Sequence, residues 1–204
     1  MLKTSLAFLI GWLVIPSAEA KDPWVHIEYG AANVESGSTS IGPGSRLRLE
    51  VAEARLDELA KKNERVIFYV NDLNAQMTER AGNALLAYAT KKGYKNVEIR
   101  ALPGNFLSME LPTTDSAALH NPPGEIFDGG ESTLVAFQRL ADHSREGLEV
   151  VSSVKVLENL AVAIPNVKDL GEAESYIRPD GERVAKPARR YKFESKSDLS
   201  EIQT

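Results

Sequence analysis

The sequence predicts an α/β protein built on a mostly parallel, doubly wound sheet with a terminal antiparallel strand. Three observations carry this. Val66 to Val70 is an unbroken apolar and aromatic run without polar alternation, as expected of a strand buried on both faces of a parallel sheet. Short runs of this kind are separated by longer stretches of helical periodicity, which calls for βαβ units joined by right-handed crossovers. After Val156 that rhythm stops, and Ala188 to Phe193 alternates in the manner of a last strand pairing antiparallel with its neighbour.

Taken in order, Trp24 to Glu28 alternates and ends at Tyr29-Gly30, a first strand entering a tight turn. Asn33 to Ser45 is a long loop of Ser, Gly, Thr and Pro, with Gly44 or Ser45 placed to cap the next helix. In that helix Leu47, Val51, Ala54, Leu56 and Leu59 form the predicted apolar stripe, with Arg48, Glu50, Glu53, Asp57 and Glu58 toward water. The second strand follows and stops at Asp72. Asn74 is a natural N-cap for a helix over about Ala75 to Lys92, with Met77, Ala81, Ala84, Leu85 and Tyr88 on its inner face. Lys91-Lys92-Gly93 supplies basic residues in the last turn and a glycine stop.

Asn96 to Leu102 reads as a third strand broken at Pro103-Gly104-Asn105, and Ser116 to His120 as a fourth ended by Asn121-Pro122-Pro123-Gly124. Glu131 to His143 has helical spacing, and Gly147 to Val154 is the fifth strand. Beyond it the sequence suggests a helix over Leu157 to Ile164 and a Pro-Asp-Gly turn within Tyr176 to Val184. The tail from about Glu194 is polar.

The chain has 204 residues, 43% hydrophobic and 26% charged, enough for one domain with its own core. A formal net charge of −5 argues against a nucleic-acid surface. The absence of cysteine excludes disulfides, thiolate chemistry and cysteine-based zinc sites. Lys3, the apolar run Ser5 to Ile15 and the small residues Ala18 and Ala20 have the form of a signal peptide over 1–20. That run is shorter than the ~20 residues a spanning helix needs. The expectation is an exported chain, periplasmic or secreted, whose mature domain is 21–204 and carries no stable membrane anchor. Nothing in the sequence sets an oligomeric state.

Strand, acid, helix at Val66 to Ala81 is a ligand-binding arrangement as well as a local cap. Ligands of open α/β sheets lie beyond the carboxyl ends of the strands, where an acid such as Asp72 can accept from two ribose hydroxyls; an Asp at a helix start also has purely local reasons to be there. No Gly-x-Ser-x-Gly elbow and no phosphate-binding Gly-x-x-x-x-Gly-Lys-Ser/Thr occurs, which sets aside serine hydrolases and P-loop enzymes. Gly42-Pro43-Gly44-Ser45 reads equally as an anion cradle and as a turn. Three scattered histidines and no clustered acids predict no metal site. His120, at a strand's carboxyl end, is the candidate base; His26 and His143 read as structural.

Over roughly residues 24 to 193 the pattern resembles the Rossmann-like fold of class I S-adenosylmethionine-dependent methyltransferases. The sharpest part is Val70-Asn-Asp-Leu-Asn-Ala-Gln-Met-Thr-Glu-Arg-Ala81, similar to the family's acid, turn and Met-containing helix after the second strand. The resemblance implies that S-adenosylmethionine is the cofactor, that Asp72 binds its ribose hydroxyls and that Leu73 lies against the adenine. Asn105 stands where the family usually has Asp and retains a side-chain oxygen for the adenine amino group. Glu28 and Gly30 match the acid and one glycine of the family's first motif, with Gly30 giving close backbone approach; the other glycines, Gly37, Gly42 and Gly44, are displaced into the loop. Asn121-Pro122-Pro123 resembles the Asn/Asp-Pro-Pro-aromatic motif of amino-group methyltransferases, with Gly124 in place of the aromatic, which implies that Asn121 holds the target nitrogen. The implied function is methyl transfer to an unidentified acceptor; the alternative is an exported, non-catalytic binding protein on a degenerate methyltransferase fold.

Overall fold

The computed structural model describes residues 21–30, 43–120, 131–152, 167–172 and 189–196. Its ten elements are β1 (Trp24–Tyr29), α1 (Pro43–Lys62), β2 (Val66–Asp72), α2 (Ala75–Lys92), β3 (Val97–Pro103), β4 (Ser116–His120), α3 (Glu131–Asp142), β5 (Leu148–Ser152), β6 (Val167–Glu172) and β7 (Arg189–Phe193). The strands form one sheet in the order β3-β2-β1-β4-β5-β7-β6. β1 to β5 are parallel, and β7 runs antiparallel between β5 and β6. The doubly wound sheet with an antiparallel last strand is therefore present as expected.

Two cores lie against the two faces. On one, Leu49, Ala52, Leu56 and Leu59 of α1 and Met77, Ala81, Leu85 and Ala89 of α2 pack on Val66, Phe68 and Val70 of β2. On the other, Phe137, Leu140 and Ala141 of α3 pack on Ile27, Tyr29, Ala117, Leu119, Leu148, Val150, Tyr191 and Phe193. Strand alternation makes this division, since successive side chains leave a strand on opposite faces.

Local signals act as read at α2. The Asn74 side chain accepts a bond from Met77 N at 3.1 Å, and Gly93 ends the helix at φ 77° with its N–H on the last carbonyls. The α1 expectation needs two corrections. The helix starts at Pro43, ahead of Gly44 and Ser45, consistent with proline's preference for a first helical position, where its missing N–H is no loss. Its inner stripe is Leu49, Ala52, Leu56, Leu59 and Ala60, while Ala54 is exposed. Arg55 lies on the flank of that stripe and pairs with Glu149, a polar contact invisible to periodicity. Strand β6 was not anticipated; Val167 to Glu172 carries a register irregularity between Asp169 and Gly171 that breaks its alternation. The predicted signal peptide, the loop up to residue 42, the suggested helix over Leu157 to Ile164, the Tyr176 to Val184 turn and the tail beyond residue 196 lie outside the described residues.

Candidate functional site at the strand switch

Strand order reverses between β1 and β4, because β1 leads through α1 to β2 on one side while β4 leads through α3 to β5 on the other. At such a point the two connections leave in opposite directions, and a crevice opens beyond the carboxyl ends. Register places the expected residues there. Tyr29 is opposite both Asn71 and Leu119, so Gly30, Asp72 and His120 form one row at the top of the sheet, which continues through Pro103, the partner of Asp72.

Gly30 has φ 66°, and its N–H donates to Asn71 O at 3.0 Å. A Cβ there would lie 3.0 Å from the His120 carbonyl oxygen, so a larger residue would meet both left-handed strain and backbone. Asp72 is part-buried, and its carboxylate accepts from Asn74 N at 3.4 Å. Leu73 is 51% exposed, a large apolar side chain presented to solvent beside that acid. Asn105 is exposed on the turn after β3; its side-chain oxygen accepts from Leu107 N at 2.9 Å and its carbonyl from Met109 N. Arg139 of α3 secures this turn, donating to Phe106 O and to Met109 O at 2.6 Å. Asn121 and the Pro-Pro segment lie outside the described residues.

Glu28 has a different surrounding from the other four. Its side chain is fully buried on the α1 face of the sheet, with His26 Nε2 3.0 Å from one oxygen and His120 Nε2 in short contact with the other. A direct bond from Glu28 to a ligand would require one histidine to let go. Burial pushes its carboxyl up, but the His120 and His26 bonds outweigh burial and hold it well below the usual carboxylate range. Glu28 is thus a carboxylate, and both histidines must be donors to it.

The chain of contacts continues beneath the crevice. His26 Nδ1 lies 2.7 Å from Ser116 Oγ, which also accepts from Trp24 Nε1 at 3.2 Å. Indole N–H can only donate, so the Ser116 hydroxyl is free to turn its own hydrogen to His26 Nδ1, in accord with a His26 that carries hydrogen on Nε2. The His26 ring also lies 4.9 Å from that of Phe68, tilted by 49°. On the same face Arg55 donates to Glu149 at 3.0 Å, and Arg190 donates to both Glu149 oxygens at 2.8 and 3.1 Å. Burial disfavours the Arg55 charge, yet Glu28 and Glu149 outweigh it and raise its pKa. Burial likewise opposes ionised Glu149, but Arg190 and Arg55 lower its pKa. Glu28 and Glu149 therefore share this face with the guanidiniums of Arg55 and Arg190.

The sequence marks His26 as structural, and the structure adds its bond to Glu28. Two signals were available: Trp24, His26 and Glu28 share one strand face at period two, and so do Ser116 and His120. What the sequence could not supply was the pairing of those two strands. Arg55, Glu149 and Arg190 come from three distant elements and share no motif. His143, also read as structural, is at the end of α3, where burial and the nearby Arg139 lower its pKa. Among the described residues no group of three or more His, Cys, Asp or Glu could hold a metal ion, and no helix is long and apolar enough to cross a membrane.

These features define an open, doubly wound α/β protein whose strand order switches between its first and fourth strands. No family model matches the chain, and no curated protein matches it by sequence. Similar solved structures include a dimethyladenosine transferase from Plasmodium falciparum, 15% identical, covering 88% of this chain and 58% of that one at a TM-score of 0.49. A precorrin-6y C5,15-methyltransferase from Geobacter metallireducens is also 15% identical, covering 86% and 84% at 0.44. TrmN from Thermus thermophilus is 14% identical, covering 84% and 44% at 0.44. The chain thus spans 58% of the length of the first of these and 31% of WbdD, a bifunctional kinase-methyltransferase.

Proposed function

We propose that the crevice binds S-adenosylmethionine and that the chain transfers its methyl group to an acceptor. The observation that carries the reading is the row Asp72, Gly30 and His120 at the strand switch, flanked by exposed Leu73 and by Asn105. The donor set fits an adenosyl group. Asp72 accepts from the ribose hydroxyls, Leu73 covers one adenine face, and Asn105 accepts from the adenine amino group. At Gly30 a Cβ would lie 3.0 Å from the His120 carbonyl oxygen, so a side chain there is disfavoured. The bound cofactor supplies an electrophilic methyl on a sulfonium. What the protein must add is alignment of the acceptor and exclusion of water. A net charge of −5 favours an acceptor other than a polyanionic nucleic acid.

The second reading, a binding protein without catalysis, draws on Glu28. The acid that the resemblance assigns to the cofactor has both oxygens on histidines.

Thermal unfolding of the chain with S-adenosylhomocysteine, the product-state ligand, tests binding. Ligand at about 100 times its dissociation constant adds about 2.7 kcal/mol, a rise of roughly 5–10 °C for a domain this size. Asp72→Ala should weaken calorimetrically measured binding by roughly 10- to 150-fold, the worth of hydrogen bonds to a charged acceptor. Its ligand-free stability should change by less than about 1 kcal/mol. Unchanged affinity in Asp72→Ala refutes the site, and no shift in the parent chain at millimolar ligand refutes cofactor binding.

A further inference from the structure

We propose that the outer edge of β3 pairs antiparallel with the same edge of a second copy of this chain, so that the protein forms a two-fold dimer whose sheet continues from one copy into the other.

β3 ends the sheet, and among the described residues no strand pairs with its outer side. Its backbone faces outward at fixed positions. Val66 N–H donates to Asn96 O at 2.8 Å and Gly104 N–H donates to Asp72 O at 3.0 Å, so residues 96 and 104 turn their backbone groups to β2. Strand alternation then directs the N–H and C=O groups of Val97, Ile99 and Ala101 away from the sheet. Such a row is a ready template for another strand, and native edges are commonly blunted by a bulge, a proline or a short length. Here the register with β2 is unbroken from Val97 to Pro103, and the proline comes only after the outward groups of Val97, Ile99 and Ala101.

The side chains select both the partner and the register. Arg100 donates to Glu98 Oε1 at 2.7 Å and to the Tyr69 hydroxyl at 2.9 Å, and the side chains of Glu98 and Arg100 are 44% and 42% exposed. With a two-fold axis at Ile99, residue 98 of each copy lies opposite residue 100 of the other, so each carboxylate meets a guanidinium. These are the closer, non-hydrogen-bonded pairs of an antiparallel ladder, where unlike charges attract and like charges repel. Ile99 then exchanges both backbone bonds with its counterpart, and Val97 exchanges both with Ala101 of the second copy. An axis at residue 98 would oppose two glutamates, and one at residue 100 two arginines. An axis at Val97 or Ala101 leaves both charges without an opposite partner. The strand is thus complementary to itself in one register, as an interface between identical copies requires.

The other face of the strand is apolar. Gly82 and Leu86 of α2 line a groove there with Ile99 and Ala101, and Leu86 is 50% exposed. The same axis lays Val97 and Ile99 of the second copy along this groove. Because α2 packs on both β2 and β3, the two α2 helices come to lie two strand spacings apart, roughly 10 Å, a distance at which helices pack. Antiparallel pairing also points the carboxyl ends of the two sheets in opposite directions, so neither copy covers the other's strand switch.

Sedimentation velocity of the full chain over a concentration series reads the association, and the expected result is a monomer–dimer equilibrium. Glu98→Arg opposes two guanidiniums across the axis and Arg100→Glu opposes two carboxylates. Each should raise the dissociation constant by about tenfold or more. Mixing the two variants should restore association as a heterodimer, since each then presents the charge its partner needs, and so should combining both substitutions in one chain. That recovery separates a lost contact from a lost fold. Amide hydrogen exchange gives a second readout: Val97, Ile99 and Ala101 should gain protection as concentration rises, while Glu98, Arg100 and Leu102, whose N–H groups face β2, stay protected throughout. A chain that is monomeric at every concentration overturns the proposal and leaves the edge to an extended segment of another protein. A dimer whose dissociation constant neither substitution moves, or whose variants fail to recover on mixing, joins through a different surface and overturns it as well.

Discussion

Removing the Glu28 carboxylate should cost far more than an ordinary polar-to-alanine change. In Glu28→Ala the Nε2–H groups of His26 and His120 lose their acceptor in a fully buried place. Each stranded donor costs about 1–3 kcal/mol, so the variant should lose about 2–6 kcal/mol, against a total of about 5–15 kcal/mol for a typical domain. Glu28→Gln retains one acceptor oxygen and should lose roughly half as much. The charge provides a second signature. A native carboxyl held below its ordinary value of 4.5 contributes stability that is complete above that value. The unfolded chain takes up the proton first as pH falls, so the contribution shrinks below about pH 4.5 until the native carboxyl protonates too. The stability difference between parent and Glu28→Gln should therefore be flat from pH 7 to about 5.5 and narrow below it. Urea unfolding followed by circular dichroism at pH 7, 5.5 and 4 measures both effects. A loss under about 1 kcal/mol in Glu28→Ala, or a parent-to-Gln difference that does not narrow in acid, would refute the buried three-residue arrangement.

Two further predictions concern the frame that carries the crevice. Gly147 and Gly93 share φ 77°, but a Cβ at Gly147 would come within 2.1 Å of the Phe193 carbonyl on β7, while one at Gly93 meets nothing within 4 Å. Gly93→Ala should cost about 1–2 kcal/mol for left-handed strain alone, and Gly147→Ala about 1–3 kcal/mol more as β7 is displaced from β5; equal losses in chemical denaturation contradict the clash. Asn74→Ala removes the side-chain bond to Met77 N and should cost about 1 kcal/mol in the same assay, with S-adenosylhomocysteine affinity unchanged if Asp72 alone carries the ribose contact.

Much of this protein was present in local sequence. The apolar run of β2, Asn74 and Gly93 at the ends of α2 and the switch to alternation before Phe193 each act within a few residues, so reading them requires no knowledge of distant partners. The placement of Asp72, Leu73, Asn105 and Gly30 at or just past strand ends was legible for the same reason, because strand ends are marked by their own composition. Three features required the assembled sheet. Arg55 on α1 meets Glu149, 94 positions away. The β6 edge depends on its pairing with β7, because its own alternation is interrupted. The role of Glu28 was the largest change. By sequence it is an acid before a glycine, open to a ligand, yet once β1 is laid beside β4 its two oxygens are taken by His26 and His120. Periodicity states which face of a strand a side chain occupies. Which other strand shares that face, and so whether a buried charge is satisfied by protein or left for a ligand, is settled only when the strands pair.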